Sequence, residues 1–286
     1  MKTKNLFTLF ALFGTLFTSC VYNPNIKERI EENLEEILIE EKSYSTEEIE
    51  CIRIDCIYED IKINTTEKSE IFVQLMSNNP SKIPEIKIKN NTFSVTSKVK
   101  NEIHPLSCTV YISLPKDFNQ KDIKIKNISG EITIKDCTSE NMYLSTVSGS
   151  INTENQNCNN FKVETVSGSI KGKTINCAGF SAKSTSGSIN LEIENQIILD
   201  STIDTVSGSV KLTVPKDMNF NLCIDSLSGT FKDNINNNTY NLNDEQNITY
   251  NDDDVKIQIE TISGNELREL VKRLNMASGI FVNKKV

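Results

Sequence analysis

The residues best equipped to do chemistry are eight cysteines, one histidine (His104), the run Asp252-Asp253-Asp254 and a recurrent set of Ser and Thr hydroxyls. Thiols that hold zinc come as C-x2-C pairs, and the sequence contains no such spacing. Setting Cys20 aside, Cys51, Cys56, Cys108, Cys137, Cys158, Cys177 and Cys223 remain. These seven are an odd set that cannot all pair internally. Cys158 and Cys177 lie 19 residues apart, a spacing that recurs below. On neighbouring strands about 4.8 Å apart they would stack slightly too far apart for an unstrained disulfide, so buried free thiols are expected. His104, beside Pro105, has no recognisable partner for base catalysis. The aspartate run lacks the D-x-[DN]-x-[DN]-G pattern of a calcium loop and reads as a solvated acidic loop. No metal and no cofactor is expected.

Catalysis on a polysaccharide would need paired carboxylates on one face. Glu131, Glu154, Glu164, Asp204 and Asp225 instead recur singly. The four arginines (Arg29, Arg53, Arg268, Arg273) all fall outside 127–265, too few for phosphate clamps. The net charge of -8 argues against a nucleic-acid partner. A non-enzymatic protein is expected.

The N-terminus reads as an export signal. Lys2 and Lys4 precede the apolar run Leu6 to Phe17, and Thr18-Ser19 lead to Cys20. The end Phe17-Thr18-Ser19-Cys20 resembles a bacterial lipobox, with Phe17 where an aliphatic residue is usual. That resemblance implies that Cys20 is diacylated, becomes the mature N-terminus and anchors the protein to a membrane in the cell envelope. With Val21 rather than Asp next, it also resembles the class sorted to the outer membrane where a host has two. Loss of residues 1–19 removes two lysines, taking the charge from -8 to -10. Residues 26–41 place Ile26, Ile30, Leu34, Ile37 and Leu38 on one stripe, which predicts a helical tether.

An internal repeat decides the fold. It reads NISGEI (127–132), TVSGSI (146–151), TVSGSI (165–170), STSGSI (184–189), TVSGSV (205–210), SLSGTF (226–231) and TISGN (261–265). Its glycines are Gly130, Gly149, Gly168, Gly187, Gly208, Gly229 and Gly264, at intervals of 19, 19, 19, 21, 21 and 35. Apolar residues alternate on both sides of the Ser-Gly pair but change phase across it, which predicts two strands joined by a corner. Glycine suits a corner that needs positive φ. Units this short must stack on their neighbours to bury a face. The expected fold is therefore all-β, a parallel β-solenoid or β-helix of 19–21-residue rungs. The 35-residue interval reads as a polar loop inserted in the last turn. The hydroxyls at Thr146, Thr165, Ser184, Thr205 and Ser226, then at Ser148, Ser167, Ser186, Ser207 and Ser228, would form ladders. Such ladders either bind carbohydrate or cap the corner backbone.

The T-V-S-G-S-[IV] unit resembles a bacterial family of adhesin-like proteins built from strand-Ser-Gly-strand repeats. The resemblance covers 127–265 well, and 52–75 more loosely as the opening strands. It implies an exported, membrane-attached β-solenoid, and no catalytic residues come with it.

The domain plan is a signal peptide (1–19), anchor and helical tether (20–48), β-rich N-terminal region (49–126), solenoid (127–265) and C-terminal cap and tail (266–286). Leu267, Leu270, Val271 and Leu274 share a helical face, predicting a short helix that caps the last rung. The function classes left are a surface-attached adhesive or structural protein, with host matrix, a glycan or an envelope protein as ligand, an envelope scaffold with no external ligand, and, behind both, a polysaccharide-binding or -degrading β-helix protein.

Overall fold

In the computed structural model the described residues are 35–79, 83–98, 107–118, 120–215, 217–242, 246–250 and 255–262, with the backbone of 267–273. They fold as strands that wind into a flattened column with two broad faces. A first-face strand runs into the Ser-Gly corner, and its continuation returns along the second face.

Rungs in chain order pair β2 (Cys51–Asp55) with β3 (Asp60–Thr66), β6 (Thr92–Thr96) with β7 (Cys108–Pro115), and β8 (Gln120–Lys126) with β9 (Ile132–Lys135). Next come β10 (Thr138–Ser145) and the long strands β11 (Ile151–Thr165) and β12 (Ile170–Ser184), which cross from second face to first at the back of the column. The winding continues through β13 (Ile189–Ile193), β14 (Ser201–Thr205), β15 (Val210–Pro215), β16 (Phe220–Ser226), β17 (Gly229–Asp233), β20 (Lys256–Thr261) and β21 (Leu267–Arg273). Adjacent rungs are parallel and in register, with Ile132 beside Ile151, then Ile170, then Ile189. Alternate residues point inward, and the inner residues of both faces form one core, including Met142, Leu144, Phe161, Val163, Ile151 and Ile170.

Rung order departs from chain order at both ends. On the first face the sequence is β6, β2, β8, and later β14, β20, β16. The second face repeats this as β7, β3, β9 and β15, β21, β17. The first and last rungs are thus intercalated one place inside. Antiparallel strands finish the ends: β4 (Ile71–Ser77) lies on β7 and β1 (Ile37–Tyr44) on β4, with β5 (Glu85–Lys89) on β6. At the other end β18 (Asn238–Leu242) lies on β17 and β19 (Gln246–Tyr250) on β16.

Three expectations need correction. The C-terminal cap is not a helix, because residues 267–273 form β21, held between β15 and β17. A register shift there sets Leu267 beside Val210 and Leu270 beside Leu212, so a bulged strand produces the spacing of three that mimics a helix. The helical tether fails over its last part, where Ile37 to Glu41 belong to β1; here too a shift between Leu38 and Glu40 breaks the strand period. The inserted polar loop is largely β18 and β19, and Asp233 caps the turn between β17 and β18 by accepting the N–H groups of Ile235 and Asn236 at 2.9 and 3.1 Å.

Candidate functional site

The Ser-Gly edge is where the repeated polar side chains gather. The hydroxyls three residues before the corner glycines point inward. Thr146 Oγ1 accepts the Gly149 N–H at 3.1 Å, Thr165 Oγ1 that of Gly168 at 3.1 Å, and Ser184 Oγ that of Gly187 at 2.8 Å. Thr146, Thr165, Ser184, Thr205 and Ser226 are all buried, so this row offers a ligand nothing, and its first three members cap the corner backbone. The next row is exposed but engaged. Ser148, Ser167 and Ser186 donate to the carbonyls of Ile128, Val147 and Val166, one rung back, at 3.3 to 3.4 Å.

The glycines serve a different purpose from the expected one. Among the described glycines only Gly229 has positive φ (150°). At Gly130, Gly149, Gly168, Gly187 and Gly208 an added Cβ would stand 2.0, 2.0, 1.8, 1.7 and 2.3 Å from a carbonyl oxygen of the preceding rung. Close stacking of backbone on backbone, not a left-handed conformation, excludes every side chain. Gly264 lies outside the described residues. In the stacked rungs a left-handed residue recurs at the back corner instead: Asp136 (φ 58°), Asn155 (54°) and Thr174 (56°). Asn155 Nδ2 donates to Asp136 Oδ1 at 2.7 Å. Sequence reasoning missed this corner, although its residues keep the same interval of 19 and two are Asp and Asn, the types that tolerate positive φ.

The candidate catalytic groups are dispersed. Cys51, Cys56, Cys108, Cys137, Cys158, Cys177 and Cys223 are all free thiols, and Cys158 stacks beside Cys177. Burial pushes the thiols of Cys137, Cys158 and Cys177 up to about 12, so none is a ready nucleophile. Glu154 bridges Lys135 at 3.2 Å and Lys173 at 3.3 Å, and hydrogen bonds from these two ammonium groups hold its carboxyl below the usual range. Glu131 accepts Asn152 Nδ2, Glu164 pairs with Lys162 at 2.9 Å, and Asp204 pairs with Lys183 at 2.6 Å. The intercalated last rung does bring acids together, setting Glu260 between Asp204 and Asp225 in register. The sequence concealed this row because chain order places Glu260 35 residues beyond Asp225. No group of three or more His, Cys, Asp or Glu among the described residues is disposed to hold a metal. Cys20, His104 and Asp252 to Asp254 lie outside the described residues.

Two polar features face solvent. On the first face Lys124, Lys126 and Lys162 gather over the Tyr143 ring at 5.6, 6.0 and 5.2 Å from its centre, while the Tyr143 hydroxyl donates to Glu164 at 2.9 Å. On the second face, just past the corner, lies a shallow groove of ≈ 390 Å³ lined by Ser169, Lys171, Ser188, Asn190, Ser209 and Lys211, with Ile170 and Ile189 as its floor. Both were legible as residues but not as neighbours until the register was known.

The Toastrack DUF4097 family model matches the chain twice, over residues 49–192 and 112–266. No curated protein matches the chain. Solved structures with a similar course include a "putative adhesin" from Bacteroides fragilis (12% identity, 85% of this chain and 98% of that one, TM-score 0.42). A "putative cell adhesion protein" from Clostridium sporogenes is 11% identical over 81% of this chain and 96% of its own, with a TM-score of 0.38. A "putative lipid binding protein" from Parabacteroides distasonis is 12% identical over 85% and 98%, with a TM-score of 0.43.

Proposed function

The chain belongs to the Toastrack DUF4097 family, and from that premise we propose that it is a binding or structural protein without catalytic activity, held at the cell envelope by a lipid on Cys20. Its working surface is the side of the column. One observation carries this reading: the rungs stack in strict register, so the outward side chains repeat along two broad faces and one edge. A surface of that kind makes many weak contacts at once, and avidity rises with the number of rungs engaged.

The lipid anchor is supported by the n-region, the apolar run and the small residues before Cys20. Two or three acyl chains, at about 0.8 kcal/mol per buried CH₂, hold such a protein to a bilayer. Cys20→Ser is expected to move the protein from the detergent phase to the aqueous phase, and unchanged partitioning would refute the anchor. Protease shaving of intact cells separates an outward-facing ligand binder from an inward-facing scaffold. For the surface itself, the purified chain is expected to bind host-matrix or glycan-coated surfaces less well after removal of one central rung. Turnover of a polysaccharide, abolished by changing a single carboxylate, would replace this reading with an enzyme.

A further inference from the structure

We propose that the first face docks a second copy of this chain, turned end for end, so that the lysines near Tyr143 meet the acids at the other end of the same face. The inference goes beyond the binding reading above and needs no external ligand.

Two like-charged groups share this face. Lys124, Lys126 and Lys162 surround Tyr143 from β8 and β11. Asp204, Glu260 and Asp225 stand side by side on β14, β20 and β16. Like charges on neighbouring strands repel. Lys162 has Glu164 at 2.9 Å and Asp204 has Lys183 at 2.6 Å, yet each group keeps an excess of its own sign.

Register fixes how a second copy answers them. The outward row nearest the Ser-Gly edge runs Lys126, Ser145, Glu164, Lys183, Asp204 and Glu260 along the column. All six are exposed or half-buried. Read backwards, this row is its own electrostatic complement. With the two first faces together, the two-fold axis lies parallel to the strands and midway between β11 and β12. Lys126 then meets the second copy's Glu260, Ser145 its Asp204, and Glu164 its Lys183, and symmetry repeats each contact. The next row sets Lys124 on Gln258 and Lys162 on Ser181, and in the row behind it Asp122 meets Lys256. No like charges meet over these six strands. A slip of one strand brings Glu164 onto Glu164 in one direction and Lys183 onto Lys183 in the other, so a single register is selected. Beyond the six strands the match ends, where Asp225 meets Asp55 and the Arg53 that holds it at 2.6 Å. The second face offers no such match. Its row Lys62, Thr133, Asn152, Lys171, Asn190 and Lys211 contains no acid to set against its lysines. Six strands and three outward positions on each cover roughly 24 by 13 Å, on the order of 400 Å² per copy with side-chain margins. Such an area is below that of a permanent dimer, so the pairing is weak, reversible and sensitive to salt.

The test is sedimentation of the full chain carrying Cys20→Ser, so that no acyl group contributes to association. A reversible monomer–dimer equilibrium is expected, weakening as salt rises from about 0.05 M to about 0.5 M. Lys126→Glu and Glu260→Lys are each expected to weaken self-association about tenfold or more, because each sets two like-charge contacts into the dimer. Circular dichroism of each variant checks that the column remains folded. Mixed in equal amounts, the two variants should pair with each other as the parent chain pairs with itself, since both contacts are then complementary. The chain carrying both changes should likewise recover its dimer. Lys171→Glu, on the second face, should leave the dimer unchanged. A chain that stays monomeric at about millimolar concentration in low salt overturns the proposal. So does a dimer indifferent to either reversal, or a pair of variants that fail to associate when mixed. Association that grows past the dimer and survives both reversals would place the contact at the ends of the column and overturn it equally.

Discussion

The middle of the column and its two ends obey different rules. From β8 to β14 each rung lies on the one before it in the chain, with like residues beside like: Ile151 beside Ile170, Cys158 beside Cys177, Phe161 beside Phe180. At both ends the order breaks in the same way, the first rung slipping inside β6–β7 and the last inside β16–β17. Repetition is enough to stack identical units, but it provides no way to stop. The ends stop by topology. Each outermost rung is overlaid by antiparallel strands, and the chain's first and last rungs are paired on both sides rather than left as open parallel edges.

The sharpest way to break this contrast is to delete strands from each region. Removing residues 150–168 takes out one whole period, and the flanking registers then meet like to like. Such a chain is expected to keep a single cooperative thermal transition. Ending the chain at Val255 removes β20 and β21 and leaves β14 and β16, and likewise β15 and β17, without their shared neighbours. That variant is expected to lose the cooperative transition by circular dichroism. If both deletions behaved alike, the intercalated rung would not be what holds that end.

The next largest effect compares two glycines within the middle. Gly168→Ala puts a methyl 1.8 Å from the Gly149 carbonyl oxygen, and backbone of the neighbouring rung has nowhere to move. A loss of about 3 kcal/mol or more in chemical denaturation is expected. Gly172→Ala meets the end of the Leu191 side chain at 2.8 Å, which can rotate away, and should cost about 1 kcal/mol or less. Equal losses would mean that the corner is as compliant as the strand.

How much of this was legible divides along the same line. The corners, the parallel stacking and the stacked thiols follow from a period of 19 and an apolar phase change, because in the middle sequence neighbours are also rung neighbours. At the ends they are not. Nothing in Leu267 to Arg273 by itself distinguishes a helix from a bulged strand, since both bring residues spaced by three to one side; the slot between β15 and β17 decides it. The glycine period was readable, but its cause was not, because a carbonyl from another rung is the obstacle. The groove needed the same register: Lys171, Asn190 and Lys211 are 19 and 21 residues apart, and only stacking makes them one surface.

A smaller contrast sets the corner of the first rung against a repeat corner. There Glu59 occupies the place of the glycine, its carbonyl being the oxygen that an added Cβ at Gly130 would meet. The Glu59 side chain is fully buried, and its Oε2 accepts the Ile57 and Tyr58 N–H groups at 3.1 Å each and the Ser97 hydroxyl at 2.5 Å. Ser97 follows β6, so this one carboxylate ties the first rung to the rung outside it. Glu59→Ala frees the Tyr58 N–H and the Ser97 hydroxyl together, the Ile57 N–H keeping Ser97 Oγ at 3.0 Å, and is expected to cost about 3 kcal/mol. Thr165→Val orphans the Gly168 N–H and takes away the donor to the Gly149 carbonyl at 3.3 Å, and should cost about 1–2 kcal/mol. Urea denaturation of the two variants checks the ranking, and a Glu59→Ala loss no greater than that of Thr165→Val would show that the end corner is held otherwise.

The smallest effect is invisible at neutral pH and appears only in alkali. Burial raises the Cys158 thiol from its ordinary value of 9.0 to about 12. A thiol held protonated by folding favours the folded state fully below its unfolded pKa. As pH rises past about 9 the unfolded chain ionises while the folded one does not, and stability falls until about pH 12. For one such thiol the slope is about 1.4 kcal/mol per pH unit. Cys158→Ala removes one of these terms, so between pH 8 and pH 10 its denaturation midpoint should fall less steeply than that of the wild type. Cys51, at the N-terminal end, is only partly covered, and its thiol is raised by burial and by the nearby Asp122 charge. A thiol reagent at pH 8 should therefore modify Cys51 well before Cys158 or Cys177, whose reaction has to wait for the middle of the column to open. Modification of the stacked pair at the Cys51 rate would show that the regular middle opens as readily as the end, and the contrast between the two regions would fail.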